Sequence, residues 1–215
     1  MARRTREEAE QTRCRILDTA EALFSTHGVS RTTLATIAGA AGLTRGAVYW
    51  HFVDKLDLYR AMLDRIIPHF DTRRNELQQA AAHDPAQALW RFSNTLLSSV
   101  AQDPRLQRVL QVIFLRTEHV DELAPVQEQC VAKMREAHFT LTQILLAAQA
   151  RGQLQPHVQP VMAAQSLQAL HDGLLRIWLA DAQRFDLAHD TPALLSSLYH
   201  GLFKAEVLEQ LSPRP

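Results

Sequence analysis

The chain has 215 residues, 47% of them hydrophobic and 21% charged, with equal numbers of acidic and basic side chains. This length can bury a core without disulfides or metal, and the composition excludes a disordered polymer. Cys14 and Cys130 lack partners at metal-ligand spacing, so we expect reduced thiols, no metal ion and no cofactor. A signal peptide and a membrane span are not visible, which favours a cytoplasmic protein.

Helical spacing of apolar residues, without alternating β-branched runs, predicts an all-α fold. Capping residues followed by proline mark helix starts at Asp84-Pro85, Asp103-Pro104 and Thr191-Pro192. Pro68 is expected to break or kink the fourth helix, and Gly28 and Gly152 to end the first and seventh. About nine helices are predicted, near residues 7–27, 34–41, 45–51, 55–80, 85–101, 104–117, 124–151, 160–182 and 192–210.

The first three helices predict a small helix-turn-helix domain over residues 1–53. The first helix has one apolar stripe that the next two can cover. Between them, Gly42 can adopt positive φ and Thr44 can cap the following helix, as a helix-turn-helix corner requires. Residues 54–215 are expected to form a second, larger domain.

The third predicted helix combines small residues with hydrogen-bonding aromatics, which favours close approach to a DNA major groove. Arg45 can bond to O6 and N7 of guanine, while Gly46 and Ala47 let the backbone come near. Any one of these side chains is more often a packing or solvated residue, so the prediction depends on the whole pattern. Phosphate contacts are expected from Tyr49, His51 and Lys55 and from the helix N-termini at Thr33 and Thr44. Arg3, Arg4 and Arg6 are expected to follow the phosphate backbone or to enter the adjacent minor groove.

The segments 28–38, 41–52 and 55–58 together closely resemble the TetR family of regulators. The opening residues 3–9, and more weakly residues 172–176, 178–179 and 185–187, resemble its multidrug-efflux repressor branch. Val53-Asp54 departs from the polar pair that is more common there, which puts a phosphate contact at that point in doubt. The resemblance implies DNA contacts from Thr33, Thr44, Arg45, Gly46, Ala47, Tyr49, His51 and Lys55. Trp50, on the outer face of the same predicted helix, is expected at the DNA as well.

The larger domain carries more apolar surface than one helical layer can hide, and polar residues interrupt its apolar faces. This pattern favours a ligand cavity, although satisfied core or interface histidines at 138 and 171 explain it equally well. The resemblance implies a cavity among the fourth to eighth helices. Its expected lining residues are Ile66, Ile67, Leu89, Phe92, Leu96, Leu110, Gln111, Phe114, Glu118, Met134, His138, Gln168, His171 and Leu175.

Broad apolar faces on the eighth and ninth helices predict a homodimer that pairs these helices with their symmetry mates. We therefore expect a repressor that binds a palindromic operator in double-stranded DNA and is released by a small lipophilic inducer, with the fourth helix as transmitter. The resemblance favours control of a multidrug efflux pump operon and of the protein's own gene. The alternative is a regulator of catabolism or lipid metabolism induced by a metabolite. Catalytic motifs are absent from the sequence, so we do not expect an enzyme. A membrane partner is not expected either, because no membrane span is visible.

Overall fold

The structure is a computed structural model that describes residues 2–117 and 123–211, with side chains described from residue 5 onward. Within these ranges the chain is helical and forms no strand; a single bridge pairs Leu154 with Phe203. The helices are α1 (Ala2–His27), α2 (Leu34–Ala40), α3 (Arg45–His51), α4 (Lys55–Asp64), α5 (Ile67–Ala81), α6 (Pro85–Gln102), α7 (Pro104–Gln111), α8 (Ala124–Ala150), α9 (Pro160–Ala180), α10 (Leu187–Leu202) and α11 (Ala205–Leu211). A π-helical segment, Val112–Arg116, follows α7 directly.

The predicted fourth helix is two helices, because the chain turns at Arg65 and Ile66 before Pro68. The amides of these two residues donate to carbonyls only three positions back, at 3.3 and 2.9 Å. Pro68 has no N–H for the carbonyl of Asp64, and its ring crowds the preceding turn, so a straight continuation is disfavoured. A break or kink at Pro68 was predicted within one helix over residues 55–80. The structure has two separate helices there, α4 and α5.

The prediction for the ninth helix was wrong at both ends. Asp186, not Thr191, caps α10, since its carboxylate accepts from the amides of Ala188 and His189 at 3.0 Å. Thr191 is buried inside the helix and its hydroxyl donates to the Leu187 carbonyl. Pro192 lies in the second turn, and α10 ends at Leu202, so residues 205–211 form α11.

Two other local predictions met different outcomes. Asp84 caps α6 as predicted, accepting from the amide of Gln87 at 3.1 Å, and Pro85 occupies the first turn. The predicted sixth helix, however, changes from α-helix to π-helix after Gln111. A π-helical turn inside a helix is uncommon and often lies at a functional position.

The chain divides into two compact units by its contacts. The first comprises Met1–Pro68 and Arg105–Gln129, and the second His69–Pro104 and Cys130–Pro215. In the first unit α1 packs with α2, α4 and the π-helical segment, and α2 packs with α3. The largest fully buried side chains of this unit include Phe24, Phe52 and Tyr59. In the second unit α6 packs against α9, α10 and α11.

Candidate DNA-binding site and ligand-binding residues

The helix-turn-helix corner between α2 and α3 is closed by backbone hydrogen bonds. Gly42 has φ +65°, and its amide donates to the Gly39 carbonyl at 3.1 Å. The amide of Leu43 donates to the Ala38 carbonyl at 2.9 Å. These two bonds form the glycine-ended helix terminus known as a Schellman motif. The predicted positive φ at Gly42 is confirmed, and the corner fixes the direction in which α3 leaves α2.

Threonines cap both helices of the motif. Thr33 accepts from the amide of Thr36 at 3.1 Å, and Thr44 accepts from the amide of Ala47 at 3.2 Å. Each cap satisfies one of the free amides at its helix N-terminus. Both capping threonines are exposed.

The outer face of α3 is open and chemically varied. Arg45 is exposed, Tyr49 is 45% exposed and Trp50 is 74% exposed. The guanidinium of Arg45 lies 5.3 Å from the centre of the Tyr49 ring, and its Nη2 donates to the Tyr49 hydroxyl at 3.3 Å. At Gly46 an added Cβ would meet nothing nearer than the Thr44 hydroxyl at 4.0 Å, so the helix surface there is flat. Ala47 is half-buried on the same helix.

His51 and Lys55 lie at the end of α3 and the start of α4. His51 is half-buried, and loss of water contact, together with the charge of Arg13, lowers the pKa of its imidazole. The imidazole meets the Trp50 ring edge-on at 4.6 Å between centres. The Lys55 ammonium donates to the Ser30 carbonyl at 3.5 Å. Arg6 is exposed on α1, whereas the side chains of Arg3 and Arg4 lie outside the described residues.

Of the two residues Val53 and Asp54, which depart from the family's polar pair, Asp54 has a structural role. Asp54 caps α4 by accepting from the amide of Asp57 at 2.7 Å, and the Asp57 carboxylate accepts in return from the amide of Val53 at 3.0 Å. Val53 itself is 79% exposed, directly after α3. The aspartate is therefore explained by capping, and the valine adds an apolar side chain to the same surface.

The predicted ligand-lining residues are distributed over both units. Ile66, Ile67, Leu110, Gln111 and Phe114 belong to the first unit; the rest, apart from Glu118, belong to the second. Glu118 lies outside the described residues. Within the second unit, Phe92 meets His171 at 6.2 Å between ring centres, and Gln168 donates to the Met134 carbonyl at 3.2 Å. His138 Nδ1 is buried without a hydrogen-bond partner, and Leu89, Leu96 and Leu175 are buried in apolar surroundings.

His171 lies in a buried polar network in the second unit. Its Nε2 is 2.9 Å from the Ser93 hydroxyl, which is 2.9 Å from the Tyr199 hydroxyl. Burial lowers the pKa of His171 to about 4 and raises that of Tyr199. The neighbouring carboxyl of Asp172 has its pKa raised by burial to about 6. Sequence reasoning did not single out Asp172 as a site residue, because an acidic residue beside a helical apolar face usually points to solvent.

A capped two-helix corner that presents an exposed second helix defines the helix-turn-helix class of proteins. Residues 16–62 match the model of bacterial regulatory proteins of the tetR family, and residues 84–203 match that of the C-terminal region of MAATS-type transcriptional repressors. The chain belongs to the TetR family of bacterial transcriptional regulators. These matches confirm the family resemblance. Among the described helices, none has the length and hydropathy of a membrane span.

Similar proteins match over nearly the whole chain. The HTH-type transcriptional regulator TtgR of Pseudomonas putida is 35% identical over 88% of this chain and 90% of its own. NalD, the secondary repressor of the MexAB-OprM multidrug efflux pump in Pseudomonas aeruginosa, is 34% identical, with a TM-score of 0.83 and coverage of 93% and 99%. SmeT, the repressor of the Stenotrophomonas maltophilia multidrug efflux pump SmeDEF, is 31% identical, with a TM-score of 0.74 and coverage of 94% and 96%. A further structure holds SmeT with triclosan.

Proposed function

We propose that this protein is a repressor that binds a palindromic operator as a homodimer and controls a multidrug efflux pump operon together with its own gene. The observation that carries the proposal is α3, a short helix capped at its N-terminus whose exposed face bears Arg45, Gly46 and Tyr49. NalD and SmeT, both repressors of multidrug efflux pumps, support the choice of target. No observation favours the metabolic alternative over it.

On the DNA side, α3 enters the major groove with Arg45 on a guanine edge. The flat surface at Gly46 and Ala47 lets the helix backbone approach the bases, and the exposed Trp50 lies beside it. A guanidinium is well shaped for O6 and N7 of guanine, and helix N-termini bind phosphate. The phosphate contacts come from Thr33, Thr44, Tyr49, His51, Lys55, Arg6 and, outside the described side chains, Arg3 and Arg4.

On the ligand side, the lipophilic inducer contacts the predicted residues in the C-terminal part of the chain. The buried, unpartnered Nδ1 of His138 is a polar atom that a ligand group can satisfy. The complex of SmeT with triclosan supports a lipophilic aromatic inducer. Ligand shifts the protein toward a conformation that binds operator weakly, to the extent of its differential affinity for the two states.

The dimer forms through α9 and α10, which correspond to the eighth and ninth predicted helices. Val161, Met162 and Ile177 of α9 are 50%, 57% and 41% exposed, so this helix presents apolar surface that a partner can cover. A twofold dimer presents two α3 helices and therefore requires a palindromic operator.

The test measures operator affinity of wild type, Arg45→Ala and Arg73→Ala on DNA flanking the gene, by fluorescence anisotropy. We expect Arg45→Ala to lose tenfold or more in affinity, since a good guanine contact is worth roughly 1–3 kcal/mol. Arg73, which pairs with Glu76 at 3.1 Å in the second unit, is the matched control and should leave affinity unchanged.

Each protein is then titrated with triclosan, a lipophilic antibiotic, a cationic dye and a long-chain acyl-coenzyme A. Release of wild type by one of the first three supports the efflux function, and release by the acyl compound alone supports the metabolic alternative. An unchanged affinity in Arg45→Ala, or no wild-type binding to palindromes near the gene, contradicts the proposal.

A further inference from the structure

A cluster of charged side chains in the first unit joins α1, the end of α4 and α7. Arg65, which directly follows α4 as its C-cap, has Nη1 2.5 Å from Glu21 Oε1 and 2.7 Å from Asp18 Oδ1, both on α1. From α7, Arg108 Nη2 lies 3.8 Å from Glu21 Oε2, and Arg105 lies 4.0 Å from the same oxygen. One carboxylate therefore stands between two helices that carry arginines.

Glu21 is the buried member of the cluster. Its side chain is fully inaccessible to solvent, whereas the side chains of Arg108 and Asp18 are 40% and 51% exposed. One carboxylate oxygen is bonded to Arg65, while Oε2 is buried and accepts no hydrogen bond. Burial raises the pKa of Glu21, and the charge of Arg65 opposes that rise. A buried carboxylate oxygen without a hydrogen-bond donor lowers the stability of the folded protein. A donor that reached Glu21 Oε2 would therefore gain a favourable hydrogen bond.

The helix that supplies Arg108 also carries predicted ligand-lining residues. Leu110 and Gln111 lie at the end of α7, and Phe114 lies in the π-helical segment that continues it. This segment contacts the DNA-binding part of the chain directly. The Val29 amide donates to the Arg116 carbonyl at 3.3 Å, and the Tyr59 and Thr117 hydroxyls are 2.7 Å apart.

We infer that Glu21 is a positioning residue that couples α7 to the helix-turn-helix, by exchanging between a state bonded to Arg65 alone and a state bonded also to Arg108. Movement of Arg108 by about 1 Å brings it within hydrogen-bond distance of Glu21 Oε2. Inducer at α7 favours the second state, which changes the pose of α1 and with it that of α3. The inference rests on the proposed function, and it adds α7 to the route that the sequence assigned to α4.

A merely structural role would change stability and leave the ligand response intact. Removing one partner of a buried ion pair by itself lowers stability, so a stability change does not test the proposal, and the informative quantity is the coupling between the two ligands. That quantity is the ratio of operator Kd with and without inducing compound. Glutamine keeps the size of Glu21 and removes its charge, and at Arg108 it removes the guanidinium but keeps a polar side chain.

The experiment measures this ratio for wild type, Glu21→Gln, Arg108→Gln, the double variant and the control Arg73→Gln. The compounds are the four named above, each at saturation. We expect Arg108→Gln to lower the ratio at least fivefold while operator affinity without compound changes less than twofold. We expect Glu21→Gln to lower the ratio likewise. The ratio of the double variant should be no lower than that of either single variant, because both substitutions remove the same interaction between Glu21 and Arg108.

The outcomes separate the two proposals. Wild-type ratios in both single variants, or additive losses in the double variant, overturn the coupling role of Glu21 while the proposed function stands. Failure of wild type to bind operator or to respond to any of the four compounds overturns both. Should Glu21→Gln unfold, Arg108→Gln decides alone, because the Arg108 side chain is partly exposed and its removal leaves the Arg65 pair in place.

Discussion

On α3 the charge of Arg45 is held over the ring of Tyr49 by a cation–π contact and a hydrogen bond. A long flexible side chain loses conformational entropy when it is fixed at a base edge, and an arginine that is already restrained loses less. Tyr49 thus helps to preorganise Arg45 for the proposed guanine contact.

Gly46 offers a separate test of how closely α3 approaches DNA. In the free protein an added Cβ has room, so Gly46→Ala should raise the free energy of unfolding by up to about 1 kcal/mol through helix propensity. If the backbone lies against base edges, the same methyl should lower operator affinity about tenfold or more. Urea unfolding and anisotropy titration measure the two effects.

Gly39→Ala is the matched control for Gly46→Ala. Gly39 lies in α2 of the same motif, and its added Cβ would also meet nothing within 4 Å. It should give a similar gain in stability with no loss of affinity. Equal operator affinity in both variants would mean that α3 does not approach DNA at Gly46.

Helix α9 places two titratable groups of opposite behaviour side by side. His171 is buried in its network with a pKa lowered from 6.5 to about 4, so its contribution to stability is present above 6.5 and lost as pH falls. Asp172 has a pKa raised from 3.8 to about 6, so its contribution is present below 3.8 and lost as pH rises. Between pH 4 and 6 both side chains are mainly neutral in the folded protein, and a change of pH alters their two contributions to stability in opposite directions.

Asp172→Asn should therefore change stability in a pH-dependent manner. At pH 7.5 the variant should be more stable than wild type by about 2–3 kcal/mol, because it no longer buries a charged carboxylate, and near pH 4 the difference should vanish. Urea unfolding at both pH values measures this. Asp64→Asn, at an exposed position ending α4, should show no such trend. A pH-independent difference for Asp172→Asn would show that its carboxyl is not desolvated as described.

At the scale of the whole molecule, the proposed dimer is testable through the exposed apolar side chains. Ile177→Arg in α9 should produce monomers, because it introduces a charge into the proposed interface, and operator affinity should fall since one monomer holds only one half-site. Light scattering after size exclusion reports the mass. Phe139→Arg in α8 is the control, since Phe139 is 64% exposed but lies outside α9 and α10. Monomers from Phe139→Arg and dimers from Ile177→Arg would place the interface elsewhere.

Local features of the fold were predictable because their causes are local. The caps at Thr33, Thr44 and Asp84 and the positive φ at Gly42 each depend on a few adjacent residues. The errors arose where two local signals competed. Asp186, and not Thr191-Pro192, marks the start of α10 because its carboxylate accepts from two amides, although Pro192 in the second turn has no N–H to continue the helical hydrogen bonds.

The all-helical class, the helix-turn-helix and the membership of the TetR family follow from the amino-acid order alone, because periodicity, capping and motif spacing depend on contiguous residues. Three further properties arise only from the packing of distant elements: the burial of Glu21 near arginines outside its own helix, the network of His171 with Ser93 and Tyr199, and the desolvation of Asp172. These properties depend on which distant elements pack together. Burial and electrostatic surroundings belong to that packing, and no local pattern of residues specifies them.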